Sequence, residues 1–402
     1  MVERWNTKVS IMSREVFCSI LCLLYFGWSL TASSKPDDKG VLVWSRGITA
    51  DFYEANDKLI FLGRERAGVT FLSENKLIVY VVEPTKQLSS RKSPEVSSAF
   101  QLTLQLVESQ SGKTVFEKNW GTRPRGSAVR VTTGGVLIKT GGLLRLYSTD
   151  FGSARDVPIP SDPNGTYFTS VSASGRTIAV NHYTKLERRY FSHIDVFDAE
   201  TLATRFAWDE YPPLFNFSIS DNGFLDMQHD VPVLRDFRNN RDAGTPLINL
   251  SKQGCAAGGS TPTLISDEQA ILRDCKGILL LLRSGKAFQI EEFDGRGSSL
   301  EPNKDCEPYN PELAAKVATS MDGRVVALSL PKVRIRKPLF DEGHQCLAGM
   351  QMAVYDLNRR RRLFTVDLEK LPKRVFDFAL SPDGSRLVIL TDHSLSVWEA
   401  PR

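Results

Sequence analysis

Val375–Trp398 reads VFDFALSPDGSRLVILTDHSLSVW, and its internal punctuation decides the fold. An alternating run, Val375–Leu380, meets a Ser381-Pro382-Asp383-Gly384 turn. A second apolar run, Arg386–Thr391, follows, and after a short break a third ends at Val397-Trp398. Period-2 alternation bounded by Asp-Gly turn chemistry predicts three short antiparallel strands.

Such a unit cannot bury both of its faces alone, so it should recur. Lys316–Phe364 repeats it: VATS, the turn Met321-Asp322-Gly323, RVVALSL, an insertion, MAVYDL and then LFTV. A third copy runs from Phe168 through Ala173-Ser174-Gly175 and RTIAV to HIDVFDAETLATRFAW, ending at Trp208. Weaker copies surround the turns Asp221-Asn222-Gly223, Asp267-Glu268, Gly134-Gly135 and Ser73-Glu74-Asn75. The turns fall near residues 75, 135, 175, 223, 268, 323 and 384, with gaps of 40 to 61 residues. The fold class expected is therefore all-β: a single seven-bladed β-propeller of four-stranded antiparallel blades, with six or eight blades as the neighbouring counts.

The last unit shows three strands, and a ring needs a fourth to cover its edge. Lys58–Leu62 is the first choice for that closing strand, paired beside Leu395–Trp398, and Val41–Trp44 is the second. The organisation expected is a leader over 1–34, an N-terminal segment over 35–57 and a propeller over 58–402. Through SPDGSRLVIL, MDGRVVAL and VYDL the chain resembles the WD40-like and YVTN-like bacterial propeller repeats, from about Lys58 to its end. The resemblance is one of fold pattern, and it implies the ring of blades.

Ahead of the repeats, Lys8 and Arg14 precede an apolar stretch, Val16–Leu30, then Thr31-Ala32-Ser33-Ser34 and a polar Lys35-Pro36-Asp37-Asp38. Basic, apolar, small, polar is the order of a signal peptide. The apolar run is short for a bilayer span of about 20 residues, and no other stretch in the sequence is apolar enough to cross. The protein is expected to be secreted, periplasmic or extracellular, and monomeric. Its net charge of +4 is a solubility property, and no nucleic-acid partner is expected.

Outside the leader four of the six cysteines remain: Cys255, Cys275, Cys306 and Cys346. Three connectivities are open. The blade register favours Cys255–Cys275 and Cys306–Cys346, because each pair occupies loops that open on one face of one blade. A compartment outside the cytosol lets such bonds persist. Without a C-x2-C pair a zinc site is not expected.

Loops after each second strand are where propeller chemistry would collect, and their positions read His182, His229, Asp230, Arg273, Asp274, Asp392 and His393. Polar loop ends are first of all wet. No metal or other cofactor is predicted, and G-x-S-x-G, P-loop and H-E-x-x-H signatures are absent. Lys332, Arg334, Arg336 and Lys337 lie in an insertion that alternates like a hairpin arm, and Arg359–Arg362 read as a solvated turn. The function expected is a binding or interaction module without assigned catalysis, whose partner is a protein, peptide or glycan on the cysteine-bearing face. The alternative is a propeller enzyme, lactonase-like or glycan-cleaving, with its site at the channel mouth.

Overall fold

A computed structural model describes residues 39–47, 67–84, 100–122, 129–140, 143–159, 167–186, 189–211, 214, 218–228, 231–239, 244–248, 262–273, 277–292, 307–308, 316–336, 344–368, 370–372 and 375–401. Among these residues every regular element is a β-strand, and the strands form seven antiparallel sheets. Blade one comprises Ala67–Ser73, Lys76–Pro84, Phe100–Glu108 and Thr114–Thr122. Blade two comprises Val129–Thr132, Gly135–Thr140, Leu143–Tyr147 and Ala154–Asp156; blade three Tyr167–Val171, Thr177–Leu186, Arg189–Asp198 and Thr204–Glu210. Blade four is Ser218–Ile219, Gly223–Gln228, Val231–Asp236 and Thr245–Pro246, and blade five is Thr263–Ser266, Gln269–Arg273, Gly277–Leu282 and Ala287–Glu292. Blade six is Val317–Thr319, Val325–Arg336, His344–Asp356 and Arg361–Asp367, with Glu307–Pro308 beside its third strand. Blade seven takes Phe376–Leu380, Arg386–Thr391 and Ser394–Glu399 from the end of the chain and Val41–Gly47 from its beginning. The fold is the expected seven-bladed β-propeller, and each of the seven sequence turns joins the first and second strands of one blade.

The second strands explain the ring. A strand sends alternate side chains to opposite faces, so a strand sandwiched between two neighbouring blades must be apolar on both. Leu77 and Val79 pack toward blade seven, whereas Ile78 and Tyr80 pack toward blade two. In blade seven, Leu387 and Ile389 pack toward blade six while Val388 and Leu390 pack toward blade one. Blades two, three, four, five and six split their second strands in the same way. Among the described residues the buried apolar side chains form seven clusters, one for each neighbouring pair, and the seventh joins blade seven to blade one. Each such Leu, Ile or Val is worth about 1.5–3 kcal/mol of burial, so these clusters hold the blades to one another.

The turns are built alike. In blade seven, Ser381 Oγ donates to Asp383 Oδ1 (2.5 Å), which accepts the Ser385 N–H (2.8 Å), while the Arg386 N–H donates to Ser381 Oγ (3.0 Å). Blade six repeats this with Ser320, Asp322, Arg324 and Val325. Burial pushes the Asp383 carboxyl up, but the Ser381 and Ser385 donors outweigh it and hold the group at about 2. Gly384 sits at φ +74°, and a Cβ there would lie 2.6 Å from Val325 Cβ of blade six. Gly384→Val therefore meets both left-handed strain and a clash, an expected loss of at least about 2 kcal/mol. Gly285 has a similar φ of +79° with open space around it, so Gly285→Val should cost less. Equal midpoint shifts for the two variants in urea would contradict the packing role of Gly384.

Ring closure corrects one expectation. Val41–Gly47 runs antiparallel beside Ser394–Glu399, with Arg46 opposite Leu395 and Leu42 opposite Trp398. The edge assigned to Lys58–Leu62 is thus taken by the strand that begins with the second candidate, and Lys58–Leu62 lies outside the described residues. The physical reason is Trp44: its ring packs in the cluster between blades seven and one, and its Nε1 donates to the Ser109 carbonyl (2.7 Å). Lys58–Leu62 contains no comparable anchor. Arg46 adds bonds to Gly112 O, Thr114 Oγ1 and Gln105 Oε1 of blade one, and burial lowers its pKa. Just before the strand, the Gly40 N–H donates to the Thr365 carbonyl of blade six (2.8 Å).

The arginine run is also placed differently from expectation. Arg362 Nη2 bonds both Glu291 oxygens (2.6 and 2.8 Å), and the Arg360 guanidinium lies 3.7 Å from the Phe288 ring centre. Glu291 and Phe288 belong to blade five, so half of the run fastens one blade to the next. Tyr355 completes the seam by donating to Glu291 (2.5 Å), and burial, reinforced by that carboxylate, pushes its phenol far up.

Candidate functional site

The two ends of the ring differ in construction. At the end bearing the first turns, polar groups are committed to neighbouring blades. Ser174 Oγ donates to Asp221 (2.6 Å), Asn222 Nδ2 to Asp267 (2.7 Å), and the Asp383 N–H to Glu74 (2.8 Å). The Thr133 and Met321 N–H groups donate to the carbonyls of Gly175 and Pro382 (both 2.9 Å). Arg205 ties Thr177 of its own blade to Asp221 and Asn222 of the next. The opposite end carries the hairpins between second and third strands, where the sequence placed its candidates.

The structure describes four of those candidates, His182, Arg273, Asp392 and His393, and they stand on three different blades. His182 lies in the second strand of blade three, opposite Tyr167 on one side and His193 on the other, with its ring 5.3 Å from that of Tyr167. Asp392 and His393 form the corresponding turn of blade seven. There Asp392 accepts the Val375 N–H just ahead of its own blade's first strand (2.8 Å), and His393 is exposed. Arg273 pairs with Ile278 in the backbone of blade five. His229, Asp230 and Asp274 lie outside the described residues, as do Cys255, Cys275 and Cys306. Among the described residues no three His, Cys, Asp or Glu side chains are arranged to hold a metal ion.

Register brings together a different set. Tyr167, His182, His193 and Asp209 stand opposite one another across all four strands of blade three. From blade two the buried Lys139 reaches this row: its Nζ donates to the Tyr167 carbonyl (3.0 Å) and lies 3.7 Å from the Tyr167 ring centre. His193 Nδ1 is 2.7 Å from Asp209 Oδ1, and Nε2 is 3.5 Å from Asp195 Oδ1. Sequence reading missed the row because its members are far apart in the chain. The signal was the strand register, which pairs residues 182 and 193 once the intervening hairpin is recognised.

Burial disfavours the His193 imidazolium, but the Asp209 and Asp195 carboxylates overcome this and raise its pKa. A raised folded-state value means that the stabilising contribution is complete below the unfolded value of about 6.5 and fades as pH rises through the folded value. Because the imidazole is 42% exposed, the effect on stability should stay under about 1 kcal/mol. Histidine NMR titration should show Asp209→Asn lowering the His193 pKa. An unchanged titration would remove Asp209 as a cause.

Aromatic side chains cluster at the same end of blade three. Phe168 stands edge-on to Tyr183, centroids 5.3 Å apart at 85°, and Phe191 lies 5.2 Å from Tyr211. Tyr183 is fixed from below: its hydroxyl donates to the Leu214 carbonyl, which also accepts from the buried Asn181 Nδ2 (2.8 Å). The Leu214 N–H in turn donates to Ser192 Oγ (3.0 Å). Burial raises the Tyr183 pKa, so its hydroxyl stays a donor.

No protein-family model matches the chain, and no curated protein matches it. Among solved structures it is similar to a chain of the Mitotic Checkpoint Complex, with a TM-score of 0.47 and 10% identity over 93% of this chain and 96% of that one. It is also similar to the C-terminal WD40 domain of Sif2, with a TM-score of 0.43 and 10% identity over 92% of this chain and 100% of that one. The fold resembles that of WD40 propellers. The likeness is one of architecture. No helix among the described residues is long and apolar enough to cross a membrane.

Proposed function

We propose that this chain is an exported propeller that binds a protein, peptide or glycan partner through the end carrying the second-to-third-strand hairpins. The observation that carries this reading is the contrast between the two ends. At the first-turn end the polar groups are used to join blades, whereas the most exposed large apolar side chains lie at the hairpin end of blade three. Loops and exposed aromatic groups on a rigid scaffold are the usual material of recognition. Export rests on the leader-like order of residues 1–34.

The expected Cys306–Cys346 disulfide belongs to the same reading. Its support is the sequence order, in which one cysteine of each pair precedes the first strand of a blade and the other follows its second strand. A non-reducing peptide map of the exported protein should contain that cross-link together with Cys255–Cys275. Free thiols at these positions would remove the disulfides from the proposal.

A photo-crosslinking amino acid in place of exposed His393 at the hairpin end, compared with one in place of exposed Asn222 at the first-turn end, tests the binding face. Partner adducts in intact cells should form from position 393. Adducts confined to position 222, or none from either position, would overturn the assignment.

A further inference from the structure

We infer that Glu74 and Asp383 form a proton-operated latch on ring closure, gripping the closing strand Val41–Gly47 in mild acid and relaxing it toward neutral pH. Both belong to first turns, Glu74 in blade one and Asp383 in blade seven, the blade assembled from the two ends of the chain. The Asp383 N–H donates to Glu74 Oε1 (2.8 Å), while Asp383 Oδ1 is held in its own turn by the Ser381 and Ser385 hydroxyls (2.5 and 2.8 Å) and by the Ser385 N–H (2.8 Å). One carboxyl group is thereby set against the residue that bears the other, and the two hydrogen-bond each other. Carboxylates only accept, so that bond requires a proton on one of the pair.

The surroundings decide which acid keeps the proton. Burial pushes the Asp383 carboxyl up, but the Ser381 and Ser385 donors outweigh it and hold the group at about 2. Glu74 accepts the Asp383 N–H, yet burial, reinforced by the hydrogen bond with the Asp383 carboxyl, moves its own carboxyl above the ordinary range. Arg386 reaches the Glu74 backbone carbonyl (3.2 Å) and Ser109 Oγ (3.1 Å), with its Nε 4.0 Å from Glu399. Its charge acts on the Glu74 carboxyl less than burial or Asp383 does. The other charged residues of the adjoining blade-one turns are Lys76, Glu108 and Lys113; Lys76 stands opposite Glu108, which accepts from Ser111 (2.7 Å).

Glu74 is also tied to the closing strand. Its backbone carbonyl accepts the hydroxyl of buried Ser109 (2.7 Å), and the Ser109 carbonyl accepts the indole N–H of Trp44 (2.7 Å). Trp44 anchors Val41–Gly47, so a displacement of the Glu74 turn passes to that strand through these hydrogen bonds. With both acids ionised, like charges face each other across the seam and push the turns apart. A raised folded-state value for Glu74 makes its contribution complete below the unfolded value of about 4.3 and lost as pH rises through the folded value. Asp383 runs the other way: its contribution is in place above the unfolded value of about 3.9 and is lost as pH falls through about 2. The latch therefore grips most firmly at about pH 4 and relaxes toward neutrality.

Hydrogen exchange of the closing-strand amides in the full chain tests the latch, with rates corrected for the intrinsic pH dependence of exchange. Opening should be about threefold more frequent at about pH 7 than at about pH 5, the scale of a partly exposed charge interaction. Glu74→Gln, which stays neutral and can still donate to Asp383, should keep the acid level of protection at both pH values. Glu74→Ala, which loses the bond altogether, should show the relaxed level at both. Amides of Gly223–Gln228 in blade four should not change in this way. Wild-type opening that is independent of pH overturns the latch, as does a Glu74→Gln variant that opens as often as Glu74→Ala. An equal change in blade four would trace the effect to the whole protein and overturn it too.

Discussion

A chain lacking Lys39–Gly47 should lose on the order of 5 kcal/mol or more, a loss comparable with the whole stability of many domains. Three contributions add in the same direction. Trp44 leaves a cavity in the cluster between blades seven and one and abandons its bond to Ser109, worth about 3 kcal/mol by itself. Arg46 no longer joins Gln105, Gly112 and Thr114 of blade one. The Ser394–Glu399 strand is left with an unpaired edge whose free N–H and C=O groups invite another chain. Size-exclusion chromatography with light scattering should show oligomers, and the urea midpoint should fall steeply. Trp44→Ala should reproduce about half of the loss while remaining monomeric, because the strand still covers the edge. A monomeric deletion variant with an unshifted midpoint would overturn the closure by this strand.

The blades were legible because their information is local. A turn such as Ser381–Gly384 declares itself in four residues, and the apolar run Arg386–Thr391 declares a strand buried on both faces. The blade count followed from repetition alone. Closure was harder, since Lys58–Leu62 and Val41–Trp44 have similar apolar patterns, and what separates them is the fit of Trp44 against Gly112 and Ser109 in another blade. The arginine run misled for the same reason. Nothing near Arg362 in sequence reveals Glu291, which arrives from blade five. For the candidate site the limit was sharper. Positions such as His182 and Asp392 could be placed at blade ends, but whether they converge depends on which blades they occupy, and blades three and seven are not neighbours. Phe168 passed unnoticed because an aromatic residue in a strand reads as core until its exposure is known.

Arg235→Met should cost about 3–5 kcal/mol, more than the usual loss of an ion pair. Its guanidinium stands between Glu210 of blade three (3.2 Å) and Asp226 of its own blade (3.1 Å), with all three side chains only 12–15% exposed. Trp208 Nε1 also donates to Glu210, so the group is set into the aromatic cluster that joins blades three and four. Removing the cation does more than delete two contacts. It leaves two carboxylates out of water with their shared positive partner gone, and the desolvation that the ion pairs had offset becomes a net cost. The decisive comparison is the triple variant Arg235→Met, Glu210→Gln and Asp226→Asn, which removes the stranded charges as well. If uncompensated charge is the cause, the triple variant should be more stable than the single one, by non-additivity among residues in contact. If lost packing of the arginine stem is the cause, the triple variant should be no better. Urea midpoints of the two proteins decide between them, and a single variant that loses less than about 1 kcal/mol would show that the network contributes little to joining the blades.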